Sequence, residues 1–68
     1  MKDLAVIIGR NVRNKRKGKA ISQDKLALIS DIDRSYIGRI ERGEVNITLD
    51  KLYKIAEVLG CDAKELLP

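Results

Sequence analysis

The chain has 68 residues, of which 44% are hydrophobic and 35% are charged, and its formal net charge is +4. Chains of this length bury only about 60% of their unfolded surface, so we expect one small domain that spans residues 1–68. The absence of histidine and the single cysteine, Cys61, exclude an intramolecular disulfide and leave no residue set for a metal site, a catalytic centre or a bound cofactor.

Positive charge is concentrated at the N-terminal end of the sequence. Residues 1–21 contain seven Lys or Arg and one Asp, whereas the remainder is slightly acidic. A basic segment favours an anionic partner such as nucleic acid, although a charged run on a small helix is also typical of a solvated face. The apolar run at residues 4–8 is too short for a bilayer span or a secretion signal, so we expect a cytoplasmic protein without a membrane partner.

The first predicted helix covers residues 3–17 and closes at Gly18. Its apolar residues recur at helical spacing and define one face: Leu4, Ile7, Ile8 and Val12. Gly9 lies inside this helix, where glycine costs about 1 kcal/mol relative to alanine. We therefore expect another helix to approach closely at that point.

Residues 22–43, SQDKLALISDIDRSYIGRIERG, have the pattern of two short helices joined by a tight turn. The first helix is predicted from residue 23 to residue 29 or 30 and the second from residue 34 to about residue 42, and Gly43 ends the second. The small Ala27 stands where the helices cross, and the apolar residues that would share one core are Leu26, Ile32, Ile37 and Ile40. This spacing is that of the helix-turn-helix, a motif that places its second helix in the major groove of double-stranded DNA.

Polar residues stand where the backbone of this motif needs them. Asp31 follows the first helix of the motif, where a left-handed backbone is required and Asp replaces glycine at a cost of roughly 1 kcal/mol. Ser22 and Asp33 precede the two helices and are predicted to cap them by accepting hydrogen bonds from backbone N–H groups that lack other partners.

Two further helices are predicted after the motif. Thr48 caps the fourth helix and Gly60 ends it. This helix carries a wide apolar stripe: Leu49, Leu52, Ile55, Ala56 and Leu59. Asp62 and Glu65 have the spacing of a capping box and predict a short fifth helix. No segment alternates in the manner of a strand, so the expected fold class is all-α.

The segment DRSYIGRIERGEVNITLDKLYKIAEVLGC, preceded by SQDKLA, resembles the lambda-repressor-like, Xre-type helix-turn-helix family. It resembles especially the small controller proteins of restriction-modification systems. The resemblance extends over nearly the whole chain. It implies a compact five-helix DNA-binding domain, homodimerisation and binding to inverted-repeat operators.

Base-contacting residues are predicted on the third helix. On a helical wheel Ile37 and Ile40 face the core, and the residues on the opposite side are Ser35, Gly38, Arg39 and Arg42. A guanidinium matches the O6 and N7 acceptors of guanine, so Arg39 and Arg34, at the edge of this side, are candidates for reading bases. Ser35 is a third candidate for base contact. The alternative is that both arginines contact only phosphates.

Five side chains are candidate phosphate contacts: Gln23, Tyr36, Arg42, Arg16 and Asn46. Gln23 lies at the positive end of the second helix, which suits an anion, and the family resemblance implies a DNA contact at that position. Glu41 faces inward on the wheel and needs a cation, for which the resemblance supplies Arg16. We interpret this pair first as structural and then as a source of a phosphate contact.

A domain of this size reads only a few base pairs, so specificity requires a two-fold dimer on half-sites about 34 Å apart. The candidate interface residues are apolar and lie in the fourth and fifth helices: Ile55, Val58 and Leu66. The alternative is that all three belong to the core of one chain.

The sequence therefore predicts a transcription regulator that binds specific double-stranded DNA as a homodimer, with no cofactor, metal or small-molecule ligand and no enzymatic activity. The alternative is a protein-docking or antitoxin-like module built from the same helices, because a fold does not fix a function. The third helix favours DNA, since a docking module has no need of Arg34, Arg39 and Arg42 on one exposed side.

Overall fold

A computed structural model describes residues 3–68. The α-helices in this range are α1 (Leu4–Gly18), α2 (Gln23–Ser30), α3 (Arg34–Glu41) and α4 (Leu49–Leu59). A 3₁₀ helix (Ala63–Leu66) follows α4, and no strand occurs in the described part of the chain. The all-α prediction is confirmed. No helix among these residues has the length and apolar character that a membrane crossing requires.

The predicted fifth helix is a single 3₁₀ turn. Its capping box is formed, since the backbone N–H of Asp62 donates to Oε2 of Glu65 at 3.0 Å. Leu67 is already extended, with φ −92° and ψ 159°. The cause is Pro68, because a residue that precedes proline is driven out of the α region, which ends the helix after one short turn.

The predicted caps of α2, α3 and α4 and the predicted turn between α2 and α3 are confirmed. Side-chain oxygens of Ser22, Asp33 and Thr48 accept hydrogen bonds from backbone N–H groups two or three residues later, at 3.0–3.3 Å. Asp31 follows α2 with φ 58° and ψ 40°, the left-handed conformation expected in the turn. These local features determine where α2 ends and where α3 and α4 begin.

The left-handed residues that follow α1 and α4 differ in type. Gly60 ends α4 as predicted, with φ 68°. After α1 the left-handed residue is Ala20, with φ 58°, and the predicted Gly18 is still helical. The helical hydrogen bonding continues past Gly18. The backbone N–H of Lys19 still donates to the carbonyl oxygen of Lys15 at 3.1 Å.

The core lies between the inner faces of the α-helices and the 3₁₀ helix. The residues predicted for the core of the motif are at most 8% exposed: Leu26, Ala27, Ile32, Ile37 and Ile40. Ile55 and Leu66 belong to the same core and are 0% exposed. They have no surface to offer a second chain, which corrects their predicted place in a dimer interface. Val58 is half-buried and packs against this core.

Gly9 lies where α1 packs against the C-terminal end of α3. A Cβ at this position would collide with the carbonyl oxygen of Ile40 and lie 3.1 Å from that of Glu41. The predicted close helix contact is confirmed, and it explains why a glycine stands inside α1. The packing of α1 on α3 also brings Arg16 within reach of Glu41.

Candidate nucleic-acid interface

Helix α3 has one buried face and one exposed face. Ile37 and Ile40 are packed into the core, and the exposed residues of α3 and its end include Arg34, Ser35, Arg39 and Arg42. The alternation of buried and exposed positions follows the helical period. The structure thus brings all the predicted arginines of this segment to the solvent-facing side of one short helix.

The helical wheel places Gly38 in the groove-facing set, yet the structure buries it. Two side chains from different elements lie over it. A Cβ at Gly38 would be 3.1 Å from Nη1 of Arg42 and 3.8 Å from Oε1 of Gln23. The wheel cannot show such cover, because it treats α3 as an isolated helix. The lack of a side chain at Gly38 therefore lets Gln23 of α2 and Arg42 approach the same point.

Glu41, at the end of α3, is bound from both α1 and α2. Its Oε2 accepts a hydrogen bond from Nε of Arg16 at 2.7 Å, and its Oε1 accepts one from Nη2 of Arg16 at 3.0 Å. Oε1 also accepts a hydrogen bond from Nε2 of Gln23 at 2.9 Å. The side chains of Arg16 and Glu41 are only 11% and 3% exposed. One buried carboxylate therefore links three helices.

Arg16 directs most of its donors into the protein. In addition to its bonds to Glu41, it donates from Nη1 to the backbone carbonyl oxygen of Ile21 at 2.9 Å. The hydrogen bond to Glu41 raises the pKa of Arg16 above its usual value, so the guanidinium stays charged. A guanidinium has about five N–H donors. The donors of Arg16 that are not bonded to Glu41 or Ile21 are the ones available to a phosphate.

Two arginines of the exposed face carry a carboxylate partner. Nε of Arg34 donates to Oδ1 of Asp24 at 2.8 Å. Nε and Nη2 of Arg42 donate to the two carboxylate oxygens of Glu44 at 3.0 and 3.3 Å. The hydrogen bond from Arg42 is the main reason that the pKa of Glu44 lies below its usual value. Arg39 forms no ion pair within residues 3–68.

Neither Asp24 nor Glu44 was predictable as an arginine partner from its spacing in the sequence. Residues two positions apart do not face each other on a helix, so Glu44 gives no signal for Arg42. The pair forms because α3 has ended and Gly43, with φ 74°, turns the chain back. Asp24 and Arg34 belong to different helices. Their side chains meet only because of the angle at which the turn joins α2 to α3.

The remaining predicted phosphate contacts lie beside α3. Tyr36 is half-buried and packs against the core, with Nζ of Lys51 5.2 Å from the centroid of its ring. Asn46 is exposed in the loop between α3 and α4. The basic run at the N-terminal end contributes a set of exposed side chains: Arg10, Arg13, Lys17 and Lys19.

Comparison with known proteins yields matches over most of the chain. Residues 12–66 match the family described as HTH_3, helix-turn-helix. Control protein C.BamHI of Bacillus amyloliquefaciens is 42% identical over 66 residues, which cover 96% of this chain and 82% of the relative. The crystal structure of the restriction-modification controller protein C.AhdI from Aeromonas hydrophila superposes with a TM-score of 0.90 at 40% identity, covering 93% of this chain and 96% of that chain. The P22 c2 repressor, crystallised with a synthetic operator, superposes with a TM-score of 0.84 at 26% identity, covering 90% of this chain and 92% of the repressor.

Proposed function

The chain belongs to the helix-turn-helix family, and from this premise we propose that it is a transcription regulator that binds double-stranded DNA at specific sequences. The observation that carries the proposal is the two-sided helix α3, whose buried face attaches it to the core while arginines occupy the exposed face. The named relatives support it, since one is a restriction-modification controller and another is a repressor crystallised with an operator.

In the proposed complex α3 lies in the major groove. Arg34 and Arg39 read guanine through its O6 and N7 atoms, and Ser35 contacts a neighbouring base edge. Each such arginine contributes about 1–3 kcal/mol of discrimination against a wrong base. The exposed position of all three side chains supports this assignment.

The phosphate contacts flank the bases. Gln23 keeps one N–H of its amide for a phosphate after the other has donated to Glu41, and it stands at the positive end of α2. Arg42 keeps Nη1, which forms no hydrogen bond among residues 3–68. The further proposed contacts come from Tyr36, Asn46 and the free donors of Arg16.

We infer that the protein acts as a homodimer on an inverted repeat. The longest dimension of one copy is 30 Å. This is less than one turn of DNA, about 34 Å, so each copy covers one half-site. Leu49 and Tyr53 are one helical turn apart on α4 and are 72% and 64% exposed, which offers the apolar surface that a dimer needs. We assign the interface to this face of α4.

The finer proposal is that the protein controls a restriction-modification system. The control protein C.BamHI and the restriction-modification controller protein C.AhdI are 42% and 40% identical to the chain. Both matches cover more than nine-tenths of it. Similarity over the whole domain, including α4 and the 3₁₀ helix, supports a shared role more strongly than a match limited to the motif.

A protein-docking module is the second candidate, and apolar residues on α2 favour it. Leu28 and Ile29 are 75% and 51% exposed. Leu28 also lines a shallow groove whose acidic residues are Asp24, Asp31 and Asp33. A surface of this composition suits a basic partner protein.

Titration with DNA separates the two candidates. Selection from a pool of random duplexes of about 30 base pairs supplies the DNA, and the affinity is then measured between about 50 and 200 mM salt. A dimer that neutralises about 6–10 phosphates predicts a steep loss of affinity over this range. No enrichment of any duplex, or binding that is independent of salt, contradicts DNA recognition and favours docking.

Two substitutions locate the contact. Arg39→Ala is expected to lower the affinity for the selected duplex about tenfold, because it removes a base contact. Lys54→Ala is the matched control, since it removes one exposed positive charge from α4 and leaves α3 intact. Equal losses in the two variants contradict base reading by α3.

A further inference from the structure

We propose that Asp24 is a positioning residue that holds Arg34 ready to read a base, an inference that rests on the proposed recognition of DNA by α3. Asp24 lies in the first turn of α2, and Arg34 is the first residue of α3. Their side chains meet across the turn, where Nε of Arg34 donates to Oδ1 of Asp24 at 2.8 Å. Asp24 thus binds the inner end of the guanidinium and leaves its outer end to the DNA.

The bond to Asp24 occupies only one corner of the guanidinium. A bidentate contact with guanine uses two parallel donors along one edge of the planar fork. Nη1 and Nη2 of Arg34 donate to no group among the residues that the structure describes. The edge formed by these two nitrogens is therefore open, while the group is held at Nε.

Arg34 thus has two properties: a carboxylate holds it at Nε, and its two terminal nitrogens are free of hydrogen bonds within the described residues. The other two arginines on the exposed face of α3 each lack one of them. Arg42 gives both Nε and Nη2 to Glu44, so one of its two terminal nitrogens is already bound to a carboxylate. Arg39 forms no ion pair within residues 3–68, so no carboxylate orients it. Of these three arginines, Arg34 alone is held by a carboxylate at Nε while both of its terminal nitrogens, Nη1 and Nη2, form no hydrogen bond among residues 3–68.

A carboxylate beside the recognition surface has two opposite effects on binding. It repels the phosphates of every duplex, which lowers affinity whatever the sequence. It also restricts the rotation of the Arg34 side chain, so less freedom is lost when the guanidinium meets a guanine. Removal of Asp24 is therefore expected to weaken discrimination without weakening general affinity. A carboxylate that acted through charge alone would change the affinity for all duplexes equally.

The test compares the affinity for the duplex selected from a random pool with that for a shuffled duplex of the same composition. Asp24→Ala is expected to lower the ratio of the two affinities about tenfold. The variant should bind the shuffled duplex at least as tightly as the wild type does. The ion pair is exposed, with side chains 61% and 78% exposed, so the variant is expected to fold, which circular dichroism checks.

Asp31→Asn is the matched control. It removes one negative charge from the same turn, and Asp31 makes no bond to Arg34. Asparagine also tolerates the left-handed backbone at this position. The control is expected to change both affinities together and to keep their ratio. A loss of discrimination as large as that of Asp24→Ala would overturn the positioning role.

Arg34→Ala completes a double-mutant cycle. Once Arg34 is alanine, Asp24→Ala is expected to cause no further loss of discrimination, because the group that it positions is gone. A wild-type ratio in Asp24→Ala overturns the inference. If that variant keeps the ratio while Arg39→Ala loses it, DNA recognition stands and only the role of Asp24 falls. If the wild type binds the selected and shuffled duplexes equally, the proposed function falls and the inference with it.

Discussion

Arg16 and Glu41 form a buried ion pair whose two hydrogen bonds, at 2.7 and 3.0 Å, join α1 to the end of α3. A buried charge is costly unless it is paired and hydrogen-bonded. Here both carboxylate oxygens are engaged, and Oε1 accepts a further hydrogen bond from Gln23 at 2.9 Å. The carboxylate therefore holds the proposed recognition helix and orients the amide of Gln23 at the same time.

Glu41→Gln is expected to lower the free energy of unfolding by about 3–5 kcal/mol, because it leaves the Arg16 guanidinium buried without a countercharge. In a small domain this is a large part of the total stability. Urea unfolding followed by circular dichroism measures the change. Glu44→Gln is the matched control, since it makes the same substitution in an exposed pair and should change the stability little. Wild-type stability in Glu41→Gln would contradict a structural role for the pair.

Gly9→Ala is expected to destabilise the protein although alanine is the better helix former. The added Cβ collides with the carbonyl oxygen of Ile40, and such overpacking costs about 1–3 kcal/mol. Gly18→Ala is the comparison, because a Cβ there has no neighbour within 4 Å and the gain in helix propensity is up to about 1 kcal/mol. Thermal unfolding should move in opposite directions for the two variants, and a shift in the same direction would contradict the close contact.

Caps, turns and the inner core were predictable because they depend on residues close in sequence. Ser22 accepts a hydrogen bond from a backbone N–H three residues later, and Asp31 adopts its left-handed conformation within one turn. The periodicity of Leu26 and Ile37 is likewise enough to place both in the core. In each case the decisive contact is local or repeats with the helical period.

Features that depend on how the helices meet were not predictable. The apolar stripe of α4 is wider than its buried part, and periodicity cannot tell that Ile55 is covered while Leu49 is exposed. Gly38 is buried by long side chains that reach it from α2 and from Arg42. The contact between Asp24 and Arg34 also depends on the angle between two helices. The sequence therefore predicted the exposed arginines of α3 but not the groups that hold them.

Glu65 is expected to titrate at lower pH than an ordinary glutamate. Lys15 donates to it at 2.7 Å, and this hydrogen bond is the main cause that lowers the pKa of Glu65 below the usual 4.5. A carboxyl group whose pKa is lowered by folding stabilises the folded state above its unfolded pKa. This contribution is lost as the pH falls through the folded pKa. Stability linked to Glu65 should therefore be complete at neutral pH, begin to fall as the pH approaches the usual pKa of a glutamate, and be gone once the pH is below the lowered pKa of the folded state.

Acid titration followed by nuclear magnetic resonance of the side-chain carboxyl measures this shift. In Lys15→Met the midpoint for Glu65 is expected to rise towards the usual value, because the main hydrogen-bond donor is gone. Lys54→Met is the control, since it removes an exposed lysine of α4 that forms no ion pair within residues 3–68. The same midpoint in all three proteins would show that Lys15 does not bind Glu65 in solution.

The proposed dimer is expected to weaken when the exposed apolar face of α4 becomes polar. Leu49 and Tyr53 are largely exposed, so replacing both with serine should leave the fold intact and shift sedimentation equilibrium towards monomer. Leu28→Ser is the control, because it removes an apolar side chain that is similarly exposed, at 75%, but belongs to α2. A dimer holds two half-sites at once, so the double variant should bind the full inverted repeat more weakly and a single half-site unchanged. An unchanged dimer would place the interface elsewhere, and a wild type that stays monomeric on its operator would exclude the dimer altogether.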